Sequence, residues 1–235
     1  MNASRTARDR ARAELTAEIK DQARKQLAVS GADGLSLRAV AREMGMVSSA
    51  LYRYFPSKDD LLTGLILDAY DGLGAEAEAA DAGVDPVDVR GRWRAICRAV
   101  RGWALAHPHE YALIYGSPVP GYRAPQDTVP AASRVAIALL EVLKTAWAAK
   151  LIRLDYDGRE LSPQLLAQTK ALAEAVAPTL PPVLMARAIT AWTQLFGMIS
   201  FELFGQLVGS VDPSEEFFEH SVETMAQFVG LRSPR

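Results

Sequence analysis

One cysteine, Cys97, and three histidines, His107, His109 and His220, are all that the 235 residues offer toward disulfide or soft-metal chemistry. A lone thiol closes no internal bridge and unclustered histidines give no ligand spacing, so neither a metal nor another cofactor is expected. No Gly-x-Ser-x-Gly, phosphate-cradling glycine loop or paired metal ligands occur. The histidines and nearby serines are therefore catalytic ingredients without a motif, and an enzyme is not the expected reading. Long hydrophobic runs are missing as well: the longest uncharged apolar-rich stretch, Ala188 to Phe201, carries threonines, a glutamine and a serine and stops at Glu202. Neither a signal peptide nor a membrane span is predicted, and a reduced cytoplasmic setting with no membrane partner follows. Runs of alternating β-branched residues are almost absent, which points to an all-α chain.

What is present is 49% hydrophobic content over 235 residues, enough for a small domain plus a larger one with its own core. The most informative stretch runs from Ser36 to Leu62. Ser36 N-caps a helix whose apolar Leu37, Val40, Ala41 and Met44 follow helical spacing, and Gly45 supplies the left-handed residue that ends it. Ser48 or Ser49 opens a second short helix, with Ala50, Leu51 and Phe55 inward and Ser48, Ser49, Tyr52, Arg53 and Tyr54 outward. Pro56 ends it, and Ser57 with Asp60 forms a capping box for a third helix. Helices this short need a neighbour. The segment from Thr6 to Val29 provides one, with Leu15, Ile19, Ala23 and Leu27 on one face.

In this stretch the sequence resembles the TetR family of bacterial transcriptional regulators, whose N-terminal signature is a helix-turn-helix ending in Leu-Tyr-x-x-Phe, then a lysine and a leucine pair. Here these are Leu51-Tyr52-Arg53-Tyr54-Phe55, Lys58 and Leu61-Leu62. Two positions depart from the pattern. Val47 stands where the family usually has a serine or threonine cap, which moves the expected cap to Ser48, and Tyr54 stands where histidine is more usual, which alters one phosphate contact. The resemblance implies that the second helix of the pair enters the major groove of a double-stranded operator, where Ser48, Ser49, Tyr52 and Arg53 reach base edges or adjacent phosphates. Arg53 is the candidate base-reading fork, whereas Ser36, Tyr54 and Lys58 suit phosphates. Arg38 stays open between a DNA contact and a solvated charge.

Charge agrees with this polarity. Residues 1–58 hold eleven Lys and Arg against six Asp and Glu, while the whole chain has 26 against 28 and a net charge of −2. Arg5, Arg8, Arg10 and Arg12 read either as a basic arm that orders on DNA or as a solubilising tail.

The boundary is placed at Lys58: residues 1–58 as the reading head and 59–235 as a helical regulatory and dimerisation domain, about nine helices in all. Leu62, Leu65, Ile66, Ala69 and Leu73 stripe a helix that leaves the head and fades near Ala79 to Asp85. The next helix buries Trp93, Ile96, Cys97, Val100, Trp103 and Ala104, leaving Arg94, Arg98 and Arg101 on a face read as solvent. After a break at His107-Pro108-His109 and an ordered loop from Ser117 to Pro130, helices are expected over Pro130–Leu154, Ser162–Ala177, Pro181–Val208 and Pro213–Val229. His107-Pro-His-Glu-Tyr through Arg123-Ala-Pro125 also resembles the C-terminal regulatory domains of an actinobacterial-type branch of the family.

The last two helices carry apolar residues on more than one face. Phe201, Phe204, Phe218, Val222 and Met225 are accordingly assigned to a two-fold homodimer contact that presents two heads to a palindromic site. The resemblance further implies a repressor released by a small molecule. Its candidate lining is Trp103, His107, Tyr111, Tyr115, Trp147, Trp192 and Phe196, with Gln168, Thr193 and Gln194 as polar orienters, and the scarcity of charge in these helices favours an apolar or aromatic effector. Control by a protein partner instead of a small molecule is the alternative.

Overall fold

The computed structural model describes residues 3–154 and 160–232, with side chains from Thr6 onward, so the Arg5 side chain lies outside the described residues. Among these there are ten α-helices and no strand. They are α1 (Ala3–Ser30), α2 (Leu37–Glu43), α3 (Ser48–Leu51), α4 (Lys58–Ala82), α5 (Val89–Ala106), α6 (Pro108–Tyr115), α7 (Val129–Ala148), α8 (Pro163–Val176), α9 (Pro182–Leu203) and α10 (Glu215–Phe228). Contacts divide the chain into two compact units: residues up to Tyr70 with His107–Val129, and Asp71–Ala106 with the chain from Pro130 onward.

In the first unit the short α2 and α3 cannot bury a core alone. Ile19, Ala23 and Leu27 of α1, Leu37, Val40 and Ala41 of α2, Leu51, Phe55, and Leu61, Leu62 and Leu65 of α4 close one cluster. The Lys58 boundary thus differs from the packing division at Tyr70, because the first turns of α4 are part of this core. The second difference is larger: Leu113 of α6 and Val119 and Tyr122 of the proline-rich loop pack on the same cluster, and the Tyr122 hydroxyl lies 2.9 Å from Thr63 Oγ1. Arg24 adds a charged tie, 2.6 Å from Asp68 and 3.5 Å from Glu110. The basic stretch at the N-terminus is helical from Ala3, so Arg8, Arg10 and Arg12 ride on α1 rather than forming an extended arm.

In the second unit α5 buries Trp93, Ile96, Cys97, Val100, Trp103 and Ala104 as expected. Burial pushes the Cys97 thiol up, which leaves it protonated and inert. The arginine face of α5, read as solvent, is paired with a glutamate row of α10, which largely covers Arg101 but leaves Arg98 exposed. Arg90 and Arg94 meet Glu223, Arg98 meets Glu219 at 2.7 Å, and Arg101 meets Glu215 and, through two bonds of 2.7 and 2.8 Å, Glu202 of α9. Both rows repeat about every fourth residue, so two antiparallel helices bring them into register.

Two helices stop earlier than their apolar patterns suggest. At α7, Lys150 takes a left-handed φ of 59°, the Lys150 N–H donates to Trp147 O and the Leu151 N–H to Ala146 O, the paired bonds that close a helix C-terminus. The chain then extends, and Ile152 bridges Leu231, which follows an identical ending at Gly230 (φ 88°). A Cβ at Gly230 would collide with the Arg153 carbonyl, so this close approach requires glycine twice over. Likewise α9 ends at Leu203, not Val208, because Gly205 (φ 79°) reverses the backbone.

Candidate nucleic-acid interface

The turn between α2 and α3 is built as the glycine spacing implies. Gly45 has φ 65°, and the Gly45 and Met46 N–H groups donate to Arg42 O and Ala41 O. The Ser36 hydroxyl caps α2 by accepting from the Ala39 N–H at 3.4 Å, while the Ser36 N–H donates to Gln26 Oε1. For α3 the expected shift of the cap to Ser48 does not occur. Val47 occupies the cap position without a side-chain bond, and Ser48 is the first helical residue. The regular helix is only four residues long. Beyond it the Arg53 and Tyr54 N–H groups make tighter three-residue bonds to Ala50 O and Leu51 O, so Tyr52, Arg53 and Tyr54 lie on a turn between Leu51 and Phe55.

This turn is the exposed edge of the unit. Ser49, Tyr52, Arg53 and Arg38 face solvent, Tyr52 at 40% exposure, while Ser48, Ser36, Tyr54 and Lys58 are half-buried. The Ser57 hydroxyl accepts from the Asp60 N–H at 3.1 Å and donates to the Asp60 carboxylate at 2.6 Å, a variant of the expected box in which the carboxylate accepts from the hydroxyl instead of from the cap N–H. Lys58 opens α4 and donates to the Asp33 carbonyl at 2.9 Å, which leaves two ammonium hydrogens for other acceptors. Sequence reasoning missed the role of Arg12. Its guanidinium lies 5.2 Å from the Tyr54 ring centroid and donates to Arg53 O at 3.3 Å.

The seven residues expected to line an effector pocket fall in both units. In the first, Tyr111 is fully buried against Tyr115, which meets Tyr70 edge-on at 6.1 Å; burial, with Tyr70 and Tyr111 alongside, pushes the Tyr115 phenol up and keeps it neutral. His107 precedes α6 and is half exposed, 3.7 Å from Glu110. In the second unit, Trp103 and Phe196 are buried, Trp147 and Trp192 are half-buried, and Trp192 stands 5.7 Å from Phe196. Gln168, Thr193 and Gln194 are exposed on α8 and α9, which corrects their expected place as orienters inside a pocket. Two clefts are described, both in the first unit. One of about 530 Å³ is bordered by Arg12, Lys20, Arg24 and Asp68, and one of about 270 Å³ by Leu27, Asp33, His109 and Val119. Neither is lined by any of the seven.

The dimer assignment also needs correction. Phe218, Val222 and Met225 are buried within their own chain, at 2%, 0% and 0% exposure, because that face of α10 packs on α5 and α9. Phe201 and Phe204 remain exposed, at 54% and 46%.

A capped helix, a glycine turn and a four-residue helix, followed by a turn that presents a tyrosine and an arginine from a closed helical core, define a helix-turn-helix regulator. The comparisons agree in both halves. Residues 19–65 match the family of bacterial regulatory proteins called tetR, and residues 93–225 match the tetracyclin repressor-like C-terminal domain. HTH-type transcriptional regulators of Mycobacterium tuberculosis and Mycobacterium bovis are each 43% identical over 203 residues, covering 83% of this chain and 83% of theirs. The crystal structure of the SCO4313 protein superposes with a TM-score of 0.75 at 35% identity, covering 93% of this chain and 98% of that one. The chain belongs to the TetR family of helix-turn-helix transcriptional regulators, not to an enzyme family. Among the described residues no helix is long and apolar enough to cross a membrane.

Proposed function

We propose that this regulator binds a palindromic operator as a homodimer, represses from it, and is released by a small apolar or aromatic effector. The observation that carries the DNA reading is the exposed Tyr52-Arg53 pair on a turn braced from both ends, by Leu51 and Phe55 in the core. Arg53 reads a base edge, Tyr52, Ser48 and Ser49 lie against bases or the adjacent backbone, and Ser36, Tyr54 and Lys58 position the head on phosphates. Arg53→Ala is expected to cost about 1–3 kcal/mol on the selected operator and much less on random duplex. Equal weakening on both, measured by titration at fixed salt, removes the base-reading role.

The dimer reading is supported by α9. Opposite its buried Leu184, Ala191, Leu195 and Ile199, the helix exposes Val183, Thr190, Thr193, Gly197, Phe201 and Phe204, a heptad-spaced face with no charge. Gly197 has nothing within 4 Å of where a Cβ would stand, so the chain itself does not require a small residue there, although a glycine mid-helix costs about 1 kcal/mol. A second copy of α9 crossing at Gly197 supplies the reason, with Phe201 and Phe204 beside it. Effector control is supported by the half-buried Trp192 next to Phe196, and by a half-buried Trp147, in a unit whose α9 carries almost no charge. The purified dimer should rise in melting temperature with some member of an apolar library. A flat response across the library favours control by a protein partner.

A further inference from the structure

The reading turn is anchored at its two ends by Leu51 and Phe55 in the core, but the residue between them that faces outward, Arg53, is not. After Leu51 the Arg53 and Tyr54 N–H groups donate three residues back and the Phe55 N–H four residues back, to Leu51 O, and the helical ladder ends there, which leaves its last carbonyls without an intrahelical partner. Arg53 sits in the middle of this turn, and a side chain that reads a base edge must be held within a fraction of an ångström of its productive place. Of its neighbours, Tyr52 is exposed, and Tyr54 is half-buried with one side of its ring against the core cluster.

Arg12, forty-one residues earlier on α1, meets the Arg53 backbone and the Tyr54 ring at once. Its Nη2 donates to the Arg53 carbonyl at 3.3 Å, and its guanidinium carbon lies over the Tyr54 ring, 5.2 Å from the centroid. A cation at a helix C-terminus also complements the partial negative charge of the free carbonyls. The backbone of Arg12 lies in regular α1, where its carbonyl accepts from the Thr16 hydroxyl at 2.8 Å. The departure at Tyr54 becomes intelligible here, since a phenol ring gives a guanidinium a broad π face. Both partners are exposed or half-exposed, so the contact adds little to global stability.

We propose that Arg12 is a positioning residue for operator recognition: it clamps the Arg53 carbonyl and the Tyr54 ring, and thereby aims the Arg53 side chain, without itself touching DNA. This rests on the reading of Arg53 given above. A direct phosphate contact is the competing role for a basic residue in this place, and salt dependence separates the two, because each phosphate neutralised adds about 0.9 to the slope of log K against log salt.

The experiment compares full-length wild type, Arg12→Ala, Arg12→Lys, Tyr54→Leu and Arg12→Ala/Tyr54→Leu on two duplexes, the operator selected by wild type from a random pool and a scrambled one. Arg12→Ala is expected to bind the operator roughly three- to tenfold more weakly, the scale of one exposed cation–π contact plus one hydrogen bond, with scrambled duplex unaffected and the salt slope unchanged. Arg12→Lys keeps the charge and loses the planar fork, so it should not rescue. The double variant should lose little more than Tyr54→Leu alone. Hydrogen exchange on the free proteins should show faster exchange at Tyr54 and Phe55 in Arg12→Ala with Val40 and Ala41 unchanged. That readout needs no DNA, so a failed clamp is distinguishable from a failed reading head. A slope lower by about one with equal loss on both duplexes, full rescue by lysine, additive losses, or unchanged exchange each overturns the proposal.

Discussion

Phe218→Ala is expected to destabilise the protein by about 3–5 kcal/mol, the cost of emptying a large buried aromatic site. Phe218 is 2% exposed, lies on the face of α10 that packs on α5 and α9, and carries the Arg101 guanidinium 4.9 Å above its ring. Removing the ring opens a cavity and takes away the surface on which Arg101 rests, so the loss should reach the charged contacts as well. Gly197→Arg should do the opposite. On the exposed face of α9, with open space at its Cβ, it replaces the poorest helix former but proline by a good one, so the isolated fold should hold or gain slightly while the dimer dissociates. Denaturant unfolding and solution mass, run over a range of protein concentration because dimerisation feeds into apparent stability, separate the two. If Phe218→Ala left unfolding unchanged and produced monomers, Phe218 would return to the interface. If Gly197→Arg remained dimeric, the α9 face would lose its role.

The second large effect is expected at Arg101. Its side chain is 12% exposed, grips Glu202 through two bonds, and Glu202 is itself only 16% exposed and accepts from the Ser214 hydroxyl at 2.7 Å. Arg101→Met leaves that carboxylate with the serine alone, and a loss of about 3 kcal/mol is expected, since breaking a mostly buried pair exposes the desolvation cost of the remaining charge. Replacing both, Arg101→Met with Glu202→Leu, should recover most of the loss. By contrast, Arg98, at 59% exposure, holds Glu219 where solvent screens the pair, and Arg98→Ala should cost no more than about 1 kcal/mol.

The same contacts set an acid limit. The hydrogen bond from Arg101 holds the Glu202 carboxyl below the usual range, and that from Arg98 does so for Glu219. At Glu223 burial pushes the other way, but Arg94 and Arg90 prevail and its carboxyl is lowered too. Groups whose folded values are depressed stabilise the fold above their unfolded value, near 4.3 for glutamate, and that contribution disappears as pH falls through the folded values. Stability from this ladder should be level across neutral pH and fall on acidification below about 4.5, with a shallower fall in Arg101→Met. An identical pH profile in the variant would mean that Glu202 takes no part.

How far the molecule was legible differs by element. The reading head was legible because its signals are local: Ser36 as a cap, Gly45 as a left-handed residue and Pro56 as a stop each act within one turn of themselves. The early ends of α7 and α9 were hidden behind continuing apolar residues, since Lys150 and Gly205 terminate by backbone reversal and a lysine carries no such preference. The glutamates at 215, 219 and 223 and the arginines at 90, 94, 98 and 101 were visible as two spacings of about four, but nothing local says that the two rows face one another.

By itself the sequence determined the class of protein, its helical content and the basic polarity of its N-terminal end, because caps, glycine turns and apolar periodicity operate over a few residues. Only the tertiary structure decided which of two apolar faces turns inward: Phe218, Val222 and Met225 go to the core, and Phe201 and Phe204 stay outside. It alone also brought α6 and the proline-rich loop onto the reading head and carried Arg12 across forty-one residues to Arg53. Periodicity states that a face is buried but not against what, and contacts between distant segments are settled only when the whole chain competes for the same interior.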